Sequence, residues 1–460
     1  MFRTFASRPL LVLGIAAGLL LCVRADAQAG EAQLVPVGVA KVDITPEQPV
    51  RMYGYASRKT ESEGIAGRLK AKALAIGGEK GNELAVLLTV DCGAVPADLR
   101  EKVFRRVQAQ TSLKSERFML CNSHNHSGPD LKGMASMSGG EHEHLSTYAK
   151  LLTDRLEKVV LDAVAARRPG RLSWTQGSVG FAANRRVLKG GKWTGFGAVP
   201  GAPADHGLPL LRVADASDRL MAVVVNYACH CTTLRGNFKQ IHGDWAACAQ
   251  EYIEAEHPGA VALVTIGCGA DSDPCPHGTV EFCKQHGRAL ADEVKRLLEG
   301  EFKAVDATLV AHSRPLVVAY RQPPSLEELG ERAGRSWALE SLKGQIERGE
   351  KPPTARTLQI ATWVFGDDLA MVFLSDEVVV DYALRMKRET DATRLWINAY
   401  TDDVSCYIAS KRVLKEGGYE ARNSLSSMIS YGAPESVQPP IEDRIVERVR
   451  SLLPADFMAK

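Results

Sequence analysis

Short apolar runs rich in β-branched residues recur along the chain and alternate with segments of helical periodicity. By length and composition these runs predict buried strands. They are residues 84–91, 117–122, 221–228, 261–267, 369–374 and 394–400. Strands interleaved with helices in this way predict a layered α/β fold.

The helical pattern is clearest between His144 and Gly170, where apolar residues at i, i+3 and i+4 spacing line one face. The sequence Arg-Arg-Pro-Gly at 167–170 predicts the end of that helix. Further helices are predicted at 246–257, 280–298 and 325–348. No internal repeat or linker interrupts the chain after its first 27 residues, which predicts one domain over residues 28–460.

The N-terminus has the pattern of a secretory signal. Arg3 and Arg8 precede an apolar run from Leu10 to Val23, and Ala-Asp-Ala at 25–27 is typical of a cleavage site. The run is short for a membrane span, which needs roughly 20 apolar residues. We therefore expect residues 1–27 to be a cleaved signal peptide and the protein to be secreted or periplasmic.

Charge and cysteine content narrow the class of partner and of metal site. The formal net charge is +2, and removing residues 1–27 leaves a neutral remainder, which gives no electrostatic case for nucleic acid. Nine cysteines remain, an odd number, so at least one thiol is unpaired or pairs between chains. Repeated CxxC pairs are missing, which disfavours zinc held by thiolates. For Cys229 and Cys231 in "ACHC" we expect core packing or a disulfide.

Metal-competent or polar side chains follow the predicted strands. Ligands in layered α/β folds gather outside the carboxyl ends of strands, where loops converge. The residues found at such positions are His124, His126, His230, Ser272, Glu377 and Tyr407. Five strand exits thus offer these groups to one predicted crevice.

The stretch "CNSHNHSGPD", residues 121–130, is a metal site, a catalytic dyad or a polar loop. Zinc needs three or four N, O or S ligands and in catalytic sites keeps a position for water. His124, His230 and Glu377 would suffice, with Tyr407 as a phenolate fourth ligand. Such a centre lowers the pKa of bound water to about 7 and suits amide or ester hydrolysis. If the segment is extended, His126 shares the face of His124 and would either bind the metal too or hold the attacking water or the substrate.

Ser272 lies in "GCGADSDPCP", a Gly-rich turn that could expose its hydroxyl. The neighbouring Asp271 and Asp273 equally suit a plain Asx-rich turn. No G-x-S-x-G sequence is present, which disfavours the serine triad of α/β-hydrolases.

Taken together, six dispersed blocks carry a family resemblance. They are "SHNHSGPD", "NRR" at 184–186, "ACHCTT" with "HGDWAACA", "GCGADSDP", "FLSDE" and "YIASKRVLKEGGYE". Their content and order over residues 35–445 resemble the neutral, non-lysosomal ceramidases, zinc amidases that cleave N-acylsphingosine. The resemblance implies layered mixed β-sheets flanked by helices, the catalytic domain of that family without its C-terminal immunoglobulin-like domain.

The resemblance also implies roles for individual residues. One zinc per chain would be held by His124, His230, Glu377 and Tyr407. The matching catalytic positions are His126, Arg185, Ser272 and Tyr419. The serine block departs from the family's Gly-Asp-x-Ser-Pro-Asn, and "LSDE" replaces its Leu-Pro-Gly-Glu while keeping the glutamate.

The function expected from residues and resemblance together is a secreted zinc amidohydrolase that cleaves an N-acyl amide, ceramide-like, through a zinc-activated water. Its partners are then a small-molecule or lipid N-acyl substrate and, transiently, a membrane surface. Two alternatives stay open. One is a zinc hydrolase of another acyl bond, in an N-acyl amine or a lactone, and the other is a metal-binding relative without turnover.

Overall fold

The computed structural model describes residues 1–2, 34–78, 83–134, 137, 139–321, 325–334, 336–351, 353–430 and 441–459. The predicted signal peptide lies outside this range except for its first two residues. Contacts group Ala32–Lys460 as one unit, whose fold is described here. Within the described part of the chain, no helix combines the length and apolarity that crossing a membrane requires.

The strands are short and mostly buried. In chain order they are β1 (Val35–Asp43), β2 (Gly64–Ile65), β3 (Lys70–Ile76), β4 (Ala85–Val90), β5 (Phe118–Asn122), β6 (Arg168–Ser178), β7 (Ala182–Asn184), β8 (Arg186–Lys189), β9 (Lys192–Phe196), β10 (Gly207–Asp215), β11 (Leu220–Tyr227), β12 (Gln240–Ile241), β13 (Val261–Ile266), β14 (Ser272–Pro274), β15 (Lys303–Ala304), β16 (Leu309–Ser313), β17 (Leu316–Ala319), β18 (Ala355–Leu358), β19 (Ile360–Phe365), β20 (Leu369–Leu374), β21 (Glu377–Val378), β22 (Leu395–Asn398) and β23 (Tyr407–Ile408).

The helices cover the sheets or border the site. They are α1 (Ala97–Gln108), α2 (Gly139–Ala165), α3 (Asp244–Glu256), α4 (Val280–Leu298), α5 (Leu326–Ala333), α6 (Trp337–Glu347), α7 (Val380–Glu389), α8 (Lys411–Glu416), α9 (Tyr419–Arg422), α10 (Leu425–Ile429) and α11 (Ile441–Arg450).

Two mixed sheets form the centre of the fold. The larger has the order β13-β11-β10-β6-β1-β3-β4-β5, and the smaller has the order β16-β19-β20-β22. Most neighbours are antiparallel, but β4 pairs with β5, β11 with β13 and β20 with β22 in parallel. Parallel partners end at the same edge, so each of these pairs delivers two chain exits to one place.

Apolar side chains bind the layers together. Helices α1 and α2 pack on one half of the larger sheet, and α3 and α4 pack on the other half. The opposite face of that sheet packs on the smaller sheet through a separate cluster. The result is the layered mixed α/β architecture predicted from the sequence.

Strand β11 shows how the pattern produces these layers. Val223 and Val225 point to the helices, while Ala222 and Val224 point to the smaller sheet. Side chains alternate along a strand, so a run that is apolar throughout is buried on both faces. Burying one valine contributes roughly 1.5–3 kcal/mol. The strand is thereby fixed in register, and with it the chain that continues to His230.

All six predicted strands and the helices at 246–257 and 280–298 are confirmed within a few residues. The predicted helix at 325–348 is wrong as a single element. It is two helices, α5 and α6, because Ser336 accepts a hydrogen bond from the backbone of Leu339 and starts a second helix. The sequence at 167–170 ends α2 as predicted, yet β6 begins within it at Arg168.

Candidate metal centre and catalytic site

Backbone hydrogen bonds join the strand ends of both sheets. The N–H of Asn122, at the end of β5, donates to the carbonyl of Tyr400 (3.1 Å). The N–H of Ala399 donates to Ile266, the last residue of β13 (2.8 Å). The chain exits of the larger and smaller sheets therefore meet in one place.

His124 and His230 are both buried there and are held in the same way. Nδ1 of His124 lies 2.7 Å from the carbonyl oxygen of Gly93, and Nδ1 of His230 lies 2.8 Å from that of Gly269. A carbonyl oxygen only accepts, so each Nδ1 carries the proton. Nε2 is then the ring nitrogen that faces the site, as in a metal ligand oriented by a backbone carbonyl.

Glu377 faces both of these nitrogens. Its Oε2 lies 3.3 Å from Nε2 of His124 and 3.1 Å from Nε2 of His230. Burial opposes the charged carboxylate, but the two imidazoles hold the pKa of Glu377 well below its ordinary value. The side chain is therefore a carboxylate at neutral pH.

His126 stands beside them with its ring free of hydrogen bonds. Neither Nδ1 nor Nε2 has a hydrogen-bond partner among the described residues, although both atoms are buried. Ligand atoms of His124, His126 and His230 all lie within 4.8 Å of one another. Burial, with the neighbouring imidazoles, lowers the pKa of His126 well below its usual range. The ring is thus a neutral imidazole with a lone pair aimed at the site.

These donors fit a zinc ion. Two imidazole nitrogens and a carboxylate oxygen separated by 3.1–3.3 Å need a positive charge between them, which either a proton on an imidazole or a shared metal ion supplies. Ligands that share one tetrahedral zinc at about 2.0–2.1 Å are separated by roughly 3.3 Å. Spacing, ligand type and the fixed tautomers of His124 and His230 agree with such an ion.

Tyr407 and Arg185 complete one wall. Tyr407 pairs with Glu377 across the parallel strands β23 and β21. Arg185 donates from Nη2 to the Tyr407 hydroxyl (3.1 Å), from Nη1 to Asp273 (3.0 Å) and from Nε to Glu420 (2.9 Å). Burial and the charge of Glu377 raise the pKa of Tyr407, while Arg185 opposes this. Arg185 therefore positions the phenol oxygen.

Ser272 departs from its expected placement. The Gly-rich stretch does form a turn at Ala270 and Asp271, but Ser272 begins strand β14, which pairs with β7, and is fully buried. No described residue forms a hydrogen bond with its hydroxyl, whereas its carbonyl accepts the N–H of His230 at 3.0 Å. Ser272 lines neither cavity described below, so the structure places its backbone, behind His230, in the role of support. Its catalytic role stays a prediction.

Two cavities meet at the site. A groove of about 1100 Å³ is lined by His124, His126 and Glu377, and a side cavity of about 460 Å³ by His126 and Arg185. Tyr407 and Tyr419 line both. A substrate can therefore extend in two directions from the histidines.

Backbone strain is concentrated in the same loops. Outside glycine, positive φ angles occur among the described residues at Asp218, in a hairpin, and at His124, Asp244, Asp376, Tyr400 and Asp402. Such conformations cost about 1–3 kcal/mol each and persist where surrounding contacts enforce them. The centre is thus rigid at the level of the main chain.

Arg58 is a residue that the sequence analysis missed. It is buried, and no ion pair to it is found among the described residues. Its guanidinium donates instead to backbone carbonyls, those of Tyr53, His126, Arg235 and Phe238. Arg58 thereby joins the loop that carries His126 to two neighbouring loops. An arginine in a polar stretch gives no local signal of this role.

Comparison with known sequences supports a family assignment. A family profile described as neutral/alkaline non-lysosomal ceramidase, N-terminal, matches residues 36–264. Neutral ceramidases from Drosophila melanogaster and Drosophila pseudoobscura pseudoobscura are 32% identical to this chain over 96 residues. That stretch is 20% of this chain and 14% of the length of each relative.

Solved structures support the fold. The neutral ceramidase from Pseudomonas aeruginosa is similar with a TM-score of 0.70 at 19% identity, over 94% of this chain and 76% of that one. A structure described as ceramidase complexed with C2 gives a TM-score of 0.68 at 18% identity, over 93% of this chain and 77% of that one. The matched residues 36–264 include His124, His126, Arg185 and His230, and the chain belongs to the neutral/alkaline non-lysosomal ceramidase family.

Proposed function

We propose that this protein is a zinc-dependent hydrolase of N-acyl amides, with ceramide-like N-acyl amines as its substrate class. The observation that carries the proposal is the convergence of two imidazole Nε2 atoms on one carboxylate oxygen, which lies only 3.1–3.3 Å from each of them. The family assignment supports amide hydrolysis, and the likeness to ceramidase structures supports the fold on which it takes place.

His124, His230 and Glu377 would hold the ion, with Tyr407 beside them. When bound, zinc polarises a carbonyl and lowers the pKa of a bound water to about 7. His126 faces both cavities with two unused nitrogens, so Nε2 or Nδ1 can take a proton from water and return it to the departing amine.

The remaining groups orient the amide. Burial raises the pKa of Tyr419 to about 12, so its hydroxyl stays protonated and can donate to the carbonyl oxygen as negative charge develops there. Arg185 fixes Tyr407 through its hydrogen bond. The two cavities take the acyl chain and the amine portion on opposite sides of the scissile bond.

The test measures zinc per chain and hydrolysis of a panel of N-acyl amides in His124→Ala and His230→Ala variants. We expect about one zinc in the wild-type chain, its loss in both variants, and no turnover by either. His312→Ala is the matched control, because His312 is exposed on β16 and lines neither cavity. Full activity in either site variant would overturn the proposal. Bound zinc without hydrolysis of any amide would favour the non-catalytic alternative.

We also propose that the protein is exported, on the strength of the signal-like residues 1–27. All nine cysteines among the described residues are free thiols, and eight of them are buried. Core packing thus accounts for Cys229 and Cys231. N-terminal sequencing of the protein recovered outside the producing cell tests the proposed export, and a mature chain starting near residue 28 is the expected result.

A further inference from the structure

The large groove carries an excess of positive charge. Its charged lining residues are Arg51, Arg58, Lys59, Asp98, Lys102, Asp130, Lys132, Lys150, Arg356 and Glu377. Seven of these are cationic, whereas the whole chain is nearly balanced, with 57 basic and 55 acidic residues. A concave surface with one dominant sign of charge concentrates ions of the opposite sign.

Several of the cations are already neutralised. Arg51 pairs with Glu141, and Lys132 pairs with Asp403. Lys59, Lys102 and Lys150 are exposed, and in the described part of the chain none of them forms an ion pair. These three ammonium groups are available to a ligand.

Lys102 and Lys150 face each other across two helices. Arg106 of α1 pairs with Asp154 of α2 (2.7 Å), and Gln110, just past the end of α1, donates to Glu157 of α2 (2.9 Å). The two helices therefore run in parallel there. Residues four apart lie on the same face of a helix, so one turn earlier Lys102 stands opposite Lys150.

Where α1 and α2 border the groove, the oppositely charged pair of Arg106 and Asp154 is thus followed by two lysines. Side chains of like charge directly opposite each other are destabilising when no anion is present. Placement and charge together describe a site for an anion.

We propose that the groove binds an anionic group of the acyl substrate, a carboxylate or a phosphate-type group, through Lys59, Lys102 and Lys150. The inference rests on the proposed hydrolase function and narrows its substrate class. An N-acyl compound with an acidic head is bound in preference to a neutral one, because the reactive centre and the lysines line the same groove.

The test compares three amides with the same acyl chain. They are N-dodecanoylglycine, N-dodecanoylaminomethylphosphonate and the neutral N-dodecanoylethanolamine. We expect kcat/KM for at least one anionic amide to exceed that of the neutral amide by about 10-fold at low salt and to approach it at 1 M salt, where charges are screened. The two anionic amides distinguish a carboxylate from a phosphate-type group.

The variant Lys102→Gln with Lys150→Gln assigns the effect to the helix pair. The anionic preference should fall to about 2-fold or less, while turnover of the neutral amide stays unchanged. Lys284→Gln with Lys295→Gln is the matched control, since it removes the same charge from α4, which lines neither cavity. Equal rates for anionic and neutral amides, or a preference that survives the Lys102 and Lys150 changes, would overturn the inference.

If the chain hydrolyses none of the three, the intact amides are measured by equilibrium binding to the same full-length proteins. Tighter binding of an anionic amide, lost in the Lys102 and Lys150 variant, supports the groove while the hydrolase proposal fails. Equal affinities for the anionic and neutral amides contradict the proposed anion site, whatever the hydrolysis rates show.

Discussion

The centre and the groove are built on opposite principles. His124, His230 and Glu377 are almost inaccessible, with 1%, 0% and 3% of their surface exposed, and backbone bonds fix the loops that carry them. Lys59 and Lys150 lie in the open groove, and within the described part of the chain neither forms an ion pair. The main chain of the centre is already fixed before a ligand binds, whereas the exposed lysine side chains have conformational freedom to lose when an anion binds.

This contrast separates chemistry from selectivity. Buried polar groups in a low dielectric interact strongly, so changing one disturbs all its neighbours. Exposed cations act through a screened field, and each contributes little alone. Substitutions should therefore give large effects in the centre and small, salt-dependent effects in the groove.

The largest expected effect is that of Glu377→Gln. The substitution leaves the two imidazoles without a carboxylate, so zinc content should fall and the rate should drop on the order of 10³-fold or more, as for other central catalytic groups. Metal analysis and kcat/KM measure both. Glu301→Gln, at an exposed position, is the control. A rate within 10-fold of wild type would remove Glu377 from the centre.

Next in size is Arg185→Gln. Asp273 keeps its ion pair with Arg235, and Glu420 keeps its ion pair with Arg186. We therefore expect the free energy of unfolding to fall by about 3 kcal/mol, the lower end of the range for broken buried ion pairs. Equilibrium urea unfolding measures it. Arg212→Gln, which breaks an exposed hairpin pair, should cost less than about 1 kcal/mol. Equal losses of unfolding free energy in the two variants would show that the ion pairs of Arg185 contribute no more to stability than an exposed pair.

Asp403 connects the two regions, since Lys132 and Arg356 line the groove. Burial opposes its charge, but those two cations lower its pKa from 3.8 to about 2. A folded-state pKa below the unfolded one gives stability that is complete above pH 4 and is lost as the pH falls towards 2. The change is about 2 kcal/mol. Between pH 5 and 2, the free energy of unfolding should fall less steeply with pH in Asp403→Asn than in wild type. Identical pH profiles in the two proteins would contradict this prediction.

A smaller effect is expected for Arg58→Lys. The ammonium keeps the charge but cannot reach all four carbonyls, so the loop of His126 gains freedom and kcat should fall by about 10-fold with little change in KM. Arg68→Lys, on the exposed surface, is the control. A change in KM alone would assign Arg58 to substrate binding rather than to positioning.

The smallest effect is that of Lys59→Gln. Removing one of the three unpaired lysines should raise KM for an anionic amide by about 2-fold at low salt and leave it unchanged at 1 M salt. Steady-state kinetics at the two salt concentrations measure the difference. A loss that persists at high salt would show a specific contact and would weaken the contrast with the centre.

The sequence predicted the elements that are apolar throughout and missed most of the antiparallel ones. Residues 369–374 are buried on both faces in β20, so composition alone marks them. Strand β6, with its polar residues and its proline at 169, resembles a loop until its pairing with β10 and β1 is known. Whether such a segment forms a strand depends on pairing with residues far away in the sequence. The local sequence pattern does not contain that information.

For the site, residue type and position at strand ends sufficed to select His124, His230 and Glu377. Ser272 was expected in an exposed turn because its glycine and aspartate neighbours favour one, but pairing with Asn184 makes that stretch a buried strand. The role of Arg58 depends on carbonyls up to 180 residues away, which no spacing in its own loop encodes.

Helices α5 and α6 form a small apolar core of their own, through Leu329, Ala333, Leu339 and Leu342, while α6 lines the groove. Such a unit can diverge in sequence or length with little disturbance to the layers beneath it. Over evolutionary time the protein can therefore acquire a new substrate range by exchanging one hairpin, and an engineer who wishes to transplant specificity between relatives would begin with the same segment.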